Sequence, residues 1–445
     1  MQSKEHGSIA ISDSPPDPPA PPRTDDGAAK EIDGQENHPE EGLTIQRPKE
    51  DAFAWLQVLG AFCLNLNTWG LMNAFGVFQT FYQLDFLRSY SASSIAWIGS
   101  TQAFLLFLVS LAAGPIFDRG HLKPLLCVGS VLLVLGTFLT SIGSQYWHVF
   151  LAQAAMTGLG FGCLYLPAPA VVSQYFHESI ALANGVASTG SAVGGVIFPI
   201  VFTRMQLQIG FPWAVRVLGF ILLGTSIVVV AVMKRKTPPP AASRSLVDRS
   251  AFRDVPYILL NLGLFFGFMG LYVVFNYIQL LALSRTDVSP ALADYLLVII
   301  NASSLPGRLV PTYYADKIGS VNVQTAVALA SAVLTFSLIA ARTAPAVVAV
   351  SVLFGFAAGA FMGLPAAAVV ALSADKSKIG TRLGMTLAFV GVGVLISNPV
   401  AGAILGSDGN WVGLLAWAGA LLAASSVSMA ASRVVKVGFG LTRVL

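Results

Sequence analysis

Apolar windows of about 20 residues, the length a helix needs to cross the hydrocarbon core of a bilayer, recur twelve times along this 445-residue chain. Six lie at 54–81, 94–113, 125–142, 148–172, 180–203 and 213–233. Six more lie at 254–281, 291–311, 322–341, 344–372, 380–403 and 411–431. The ninth, tenth and eleventh windows are parted only by Arg342 and by the Ser373–Arg382 stretch. Composition points the same way. The chain is 55% hydrophobic and 11% charged, with a mean hydropathy of +0.71, whereas soluble domains carry about 25% charged residues. So few charges cannot cover a water-soluble fold of this size, and the surrounding solvent must be lipid. The predicted fold is an all-α membrane protein with twelve transmembrane helices.

Charge fixes an orientation and a division into parts. Residues 1–50 hold 5 Lys/Arg against 11 Asp/Glu. They are rich in Pro and contain no Phe, Trp or Tyr, so they are expected to be a disordered acidic tail. No apolar run follows Met1, which excludes a signal peptide. With the N-terminus in the cytoplasm, the inner loops carry 15 Lys/Arg and the outer loops 4, namely Arg88, Arg204, Arg285 and Arg342. This leaves aside the tail and two arginines inside helices, Arg216 and Arg308. Positive residues favour the cytoplasmic side, so both termini are placed there, in a multi-pass protein of the plasma membrane. Six of the 15 inner charges crowd a Pro-rich linker at 234–253, namely Lys234, Arg235, Lys236, Arg244, Arg249 and Arg253. The expected parts are a tail (1–50), a six-helix bundle (51–233), the linker (234–253), a second bundle (254–432) and a short tail (433–445).

The two halves echo each other. Gly114-Pro115-Ile116-Phe117-Asp118-Arg119 follows the second window, and Tyr314-Ala315-Asp316-Lys317 follows the eighth. Leu166-Pro167-Ala168 recurs as Leu364-Pro365-Ala366, and Gly185 and Pro199 recur as Gly384 and Pro399. The offsets all fall between 198 and 200 residues. Four matches in order argue for two six-helix pseudo-repeats, an architecture of transporters whose site lies between the halves near the bilayer midplane.

Chemistry-bearing residues are few. The loop residues Gly114, Asp118 and Arg119, with their echo Asp316 and Lys317, suit a conformational latch, because short acidic-basic turns can pair with neighbouring helix ends. Gly190 and Gly194, and Gly355, Gly359 and Gly363, recur every fourth residue, a spacing that lets membrane helices approach closely. Ionisable groups within helices reduce to Arg216 and Asp294, near helix ends, and Arg308, deeper and between Pro306 and Pro311. An arginine at such depth is costly and marks a functional site; Arg308 is therefore the first candidate for binding an anionic substrate, against a snorkelling or helix-pairing role. The amides Asn73, Asn276 and Asn301 are the next substrate-binding candidates, with interhelical hydrogen bonding as the alternative; Asn65, Asn67 and Asn398 are of the same kind. Gly158, Gly160 and Gly162 imitate a dinucleotide fingerprint but lack its strand–turn–helix context. The three cysteines and five histidines form no metal-ligand spacing. No cofactor, metal or nucleic acid is expected, and an enzyme finds no catalytic constellation.

Several segments resemble the monocarboxylate transporter family of the major facilitator superfamily, in its fungal branch. They are the Asp51-Ala52-Phe53-Ala54-Trp55 entry, the Trp69-Gly70-Leu71-Met72-Asn73 run, the Gly114–Arg119 loop, and Tyr175-Phe176 followed by Ala181 and Gly185. The resemblance covers about residues 50–435. It implies substrate moved by alternating access, often an anion carried with protons. Departures are visible: Asn73 stands where animal members carry a lysine, and Ser304 where they carry an aspartate one turn before Arg308. His177-Glu178-Ser179 replaces the usual basic residues. The resulting expectation is a transporter of a small organic solute, a carboxylate or an amphipathic metabolite, with protons as the candidate partner ion. An exporter of a secondary metabolite and a non-transporting nutrient sensor are the alternatives.

Overall fold

The computed structural model of the chain describes residues 51–176, 179–239, 245–373, 375 and 378–439, and within them all side chains except those of Ala181 and Asp316. The N-terminal tail, His177-Glu178 and part of the linker therefore lie outside the described residues. What is described is helical throughout, with no strand.

Among the described residues nine helices are long and apolar enough to cross a membrane; the spans there number twelve because two escape that test and one helix holds two. The first span, α1 (52–86), is interrupted by two π-helical turns, Leu66–Gly70 and Tyr82–Phe86, and by a break at Ala74. Then follow α2 (Ala92–Asp118), α3 (Leu122–Ile142) and α4 (Tyr146–Tyr175). The continuous Ile180–Val232 segment turns at Gly210, whose φ of 80° is closed to helix, so that it forms α5 (180–209) and α6 (211–232). The second half contains α7 (Val255–Arg285), α8 (Pro290–Ile318), α9 (Ser320–Ala340) and α10, which runs as Ala344–Gly363 and Pro365–Leu372. It ends with α11 (Ile379–Leu405) and α12 (Trp411–Val437). α8 misses the apolar criterion because it carries Asp294, Arg308, Asp316 and Lys317. The helices extend a few residues past the apolar windows, since a helix continues into the interface after the hydrocarbon ends.

The repeat is visible in the backbone. Gly120, after α2, has φ 92°, and Gly319, after α8, has φ 95°; Gly210 and Gly409 form a second pair with φ 80° and 68°. Both pairs are 199 residues apart. Only glycine enters these conformations without strain, so the duplication preserved the turns as well as the helices.

Small residues set the helix distances as their spacing predicts. A Cβ on Gly190 would lie 2.1 Å from the Phe62 carbonyl oxygen of α1, and Gly70 and Gly194 face each other across the same contact. On the other half, a Cβ on Gly355 would lie 2.4 Å from the Ile300 oxygen, and one on Gly359 2.2 Å from the Ser304 oxygen. Gly363 departs from this row, with nothing nearer than 3.5 Å. Gly359→Ala should push α10 off α8. Overpacking of this kind costs about 1–3 kcal/mol, so the purified variant should melt several degrees lower, while Gly363→Ala should melt with the wild type. Equal melting of all three would refute the close-approach account.

Arg216, placed at a helix end by the sequence, turns inward. Its Nε donates to the Ser141 hydroxyl at 3.2 Å, and its guanidinium stands 4.9 Å from the Trp213 ring.

Candidate functional site

The two halves meet along α2–α11 and α5–α8, and α1 meets α7 at Gly76, where an added Cβ would strike the Phe275 oxygen at 2.4 Å. Arg308 projects into this seam. Its Nη1 donates to the Ser191 hydroxyl of α5, so one hydrogen bond crosses from half to half, and its Nη2 reaches the Met362 sulfur of α10 at 3.7 Å. Nε is buried with no partner. Among the described residues no carboxylate pairs with this guanidinium. Arg308 is half-buried. Tyr165 and Tyr272 lie within electrostatic reach.

The backbone of α1 is irregular beside the seam. In α1 the Thr68 hydroxyl bonds back to the Leu64 oxygen at 2.7 Å and the Asn65 amide to the Ala61 oxygen at 3.0 Å. Such back-bonding competes with the helical ladder, and here it borders the π-helical turn that carries Trp69. π-turns concentrate at functional sites. The Trp69 ring meets Tyr165 at 5.5 Å and Phe107 at 5.6 Å, both edge-to-face.

The amide candidates separate into two kinds. Asn73 is 2% exposed and neither of its side-chain polar atoms has a partner. Asn301 lies two turns before Arg308 on one face of α8. Its Nδ2 donates to the Leu297 oxygen, while Oδ1 is buried, unpartnered and turned to Gly195 of α5. Asn276 lies beside Gly76. Asn276 and Asn301 thus lie where the halves meet. Asn67 does not: it is bonded to Ser226 and Thr225 of α6, and so ties helices together within one half. Asp294 accepts from the Gln279 amide at 2.9 Å, near the far end of the seam.

The loop residues lie on another face, which the linker covers. Asp118 is buried and Arg119 exposed, and the carbonyls of Phe117 and Asp118 accept from the Arg235 guanidinium, which also stacks on Phe117. Gly114 packs beside Leu246, Thr381 and Gly384. In the second copy, the Lys317 ammonium stands 4.6 Å from the Tyr313 ring; the Asp316 side chain lies outside the described ones.

Two features escaped the sequence. Ser191, Tyr165 and Tyr272 were not singled out, because a lone hydroxyl in an apolar helix carries no pattern. Arg382 was counted as a loop charge, yet it is 7% exposed at the start of α11. It is bonded to Asp248 at 3.1 Å and Asp254 at 2.7 Å, both flanking the linker helix Arg249–Arg253.

A half-buried cation at the seam of two six-helix repeats is the layout of a carrier, and comparison with known proteins agrees. Residues 57–367 match the family model described as the Major Facilitator Superfamily. The chain belongs to that superfamily. It is 45% identical over 368 residues to the MFS-type transporter dbaD of Emericella nidulans, covering 82% of this chain and 83% of the relative. It is 38% identical to the aspyridones efflux protein of the same organism, covering 82% and 74%. It is 35% identical to the fujikurins efflux protein of Gibberella fujikuroi, covering 87% and 83%. A solved POT family transporter in complex with 5-aminolevulinic acid shares the fold, with a TM-score of 0.68 at 13% identity over 84% of this chain and 94% of that one. The chain is thus a multi-pass membrane transporter of the superfamily. The relatives are transporters and efflux proteins rather than specifically monocarboxylate carriers, so the resemblance stands at the level of the superfamily.

Proposed function

We propose that the protein exports a small acidic organic metabolite by alternating access, with Arg308 as the anion anchor and Asn73, Asn276 and Asn301 as neighbouring hydrogen-bonding groups. The observation that carries this reading is a guanidinium deep in the seam whose partners are only a serine hydroxyl and a thioether. A cation in low dielectric is strongly biased towards an anion, and substrate is the anion the site lacks. The efflux relatives support the outward direction. In this reading the Gly114–Arg119 loop and Asp316-Lys317 act as latches on the linker face, and protons are the coupling ion.

The test is flux of labelled organic acids, amines and neutral solutes in vesicles containing the purified protein, with and without a pH gradient. Acids should move, and faster with the gradient. Movement of amines or neutral solutes in place of acids would sink the reading.

The Lys/Arg asymmetry supports placing the linker face and both termini in the cytoplasm, with the protein in the plasma membrane. A reporter inserted in 234–253 should then read as cytoplasmic in intact cells; an external signal would reverse the topology.

A further inference from the structure

Around Arg308 the seam is walled by rings. Tyr165 meets Trp69, Trp69 meets Phe107, Phe107 meets Phe268 at 6.2 Å, and Phe268 meets Tyr272 at 6.4 Å and Phe361 at 5.5 Å. The six rings come from α1, α2, α4, α7 and α10. Phe107 belongs to the first half and Phe268 to the second, so their edge-to-face contact bridges the halves, and a movement that separated them would uncover ring surface on both sides. Besides the Asn73 amide and the Asn301 amide oxygen, two groups able to donate are left unpartnered there. The Arg308 Nε–H is a donor without an acceptor, and the Tyr272 hydroxyl is buried without a partner.

From this we infer that the anion received at Arg308 is a flat aromatic acid, its charged oxygens on the guanidinium and Tyr272 and its ring system between the Trp69–Phe107 and Phe268–Tyr272 walls. The inference rests on the anion reading above and adds the substrate class. An aliphatic acid would leave the ring faces without the offset or edge-to-face partners that aromatic groups supply. A sugar would bring more hydroxyls than the ring walls can satisfy.

Three probes of one carbon skeleton separate the possibilities: 2-naphthoate, decalin-2-carboxylate and 2-naphthamide, with binding to the full chain in nanodiscs measured at equilibrium. Naphthoate should bind about tenfold tighter than the saturated acid, one decade being the order of one or two aromatic contacts, and the neutral amide should bind weakly. Trp69→Leu should weaken naphthoate several-fold more than the saturated acid and so remove most of the preference, whereas Arg308→Gln should weaken both acids alike. If Trp69→Leu does not fold, Tyr165→Leu, at a partly accessible position, carries the same test, and Trp69→Phe should keep the preference. Equal affinity for the two acids, both lost in Arg308→Gln, overturns the aromatic class and leaves the anion reading standing. Amide binding equal to naphthoate and indifferent to Arg308→Gln overturns the anion reading itself. Absence of binding by all three probes overturns the proposed class.

Discussion

Arg308→Ala should reduce affinity for an acidic substrate about a hundredfold while the protein still folds and reaches the membrane. Truncating one partner of a buried, hydrogen-bonded charge pair costs about 2–5 kcal/mol, and each 1.4 kcal/mol is a factor of ten. The stability side of the prediction is unusual for an internal charge. Removing one member of an internal ion pair is strongly destabilising, but among the described residues Arg308 has no such partner; its bonds go to Ser191 and Met362. Arg308→Met, which refills the volume without a charge, should therefore melt no lower than the wild type and should still fail to bind acid. Arg308→Lys should fall between, because an ammonium lacks the planar fork that grips a carboxylate with two parallel hydrogen bonds. Binding assays and melting curves on the same three preparations decide the matter. If the methionine variant melts far below wild type, Arg308 is a structural post. If the alanine variant binds acid unchanged, the anion assignment falls with it.

The layout around that site was legible in the sequence to the extent that it depends on local pattern. Apolar window lengths located the spans, with the helices running a few residues beyond them. Four-residue glycine spacing marked α5 and α10 as closely packed helices without naming the neighbours, α1 and α8, that they meet, and Arg308 stood out because a guanidinium among apolar residues needs a reason. What the pattern could not give is where unlike residues meet. Asn67 and Asn73 look alike in sequence, yet one is bonded into α6 and the other is left with both polar atoms unpartnered, because they point to different neighbours of α1. The ring wall joins Trp69, Phe107 and Phe268, whose separations of tens to hundreds of residues leave no trace in any window. The same holds for Arg382: its partner Asp248 lies 134 residues earlier, on the far side of α7 to α10.

That pair carries the largest stability effect expected outside the site. Arg382→Ala should destabilise the protein by about 3–5 kcal/mol, the cost of leaving buried charge uncompensated. The guanidinium is 8% exposed, holds Asp248 at 3.1 Å and Asp254 at 2.7 Å, and lies 5.2 Å from the Tyr257 ring. The only other cation near Asp248 is Lys378 among the described residues, at 3.6 Å and 43% exposed, where solvent screens it. Asp248→Asn should cost less, since Asp254 still holds the arginine. The Ser250 hydroxyl first, and then Arg382, keep the Asp248 carboxyl down at about 2. A depressed carboxylate stabilises the fold above its unfolded value of about 3.9 and loses that contribution as pH falls through the folded value. The gap in melting temperature between wild type and Arg382→Ala should therefore be flat between pH 6 and 8 and shrink from about pH 4 towards 2. The anchored segment also brings Leu246 against Ser110, Leu111 and Gly114 of α2 and Gly384 of α11, so it spans both halves on the linker face. Arg249 and Arg253 are already exposed on the linker helix; releasing that helix should loosen its backbone enough for trypsin to cut there faster and should speed opening on that side. Trypsin resistance and melting at pH 7 identical to wild type would show that the linker is held by its backbone contacts, such as Thr381 to the Ser245 oxygen at 2.8 Å, and not by the ion pair.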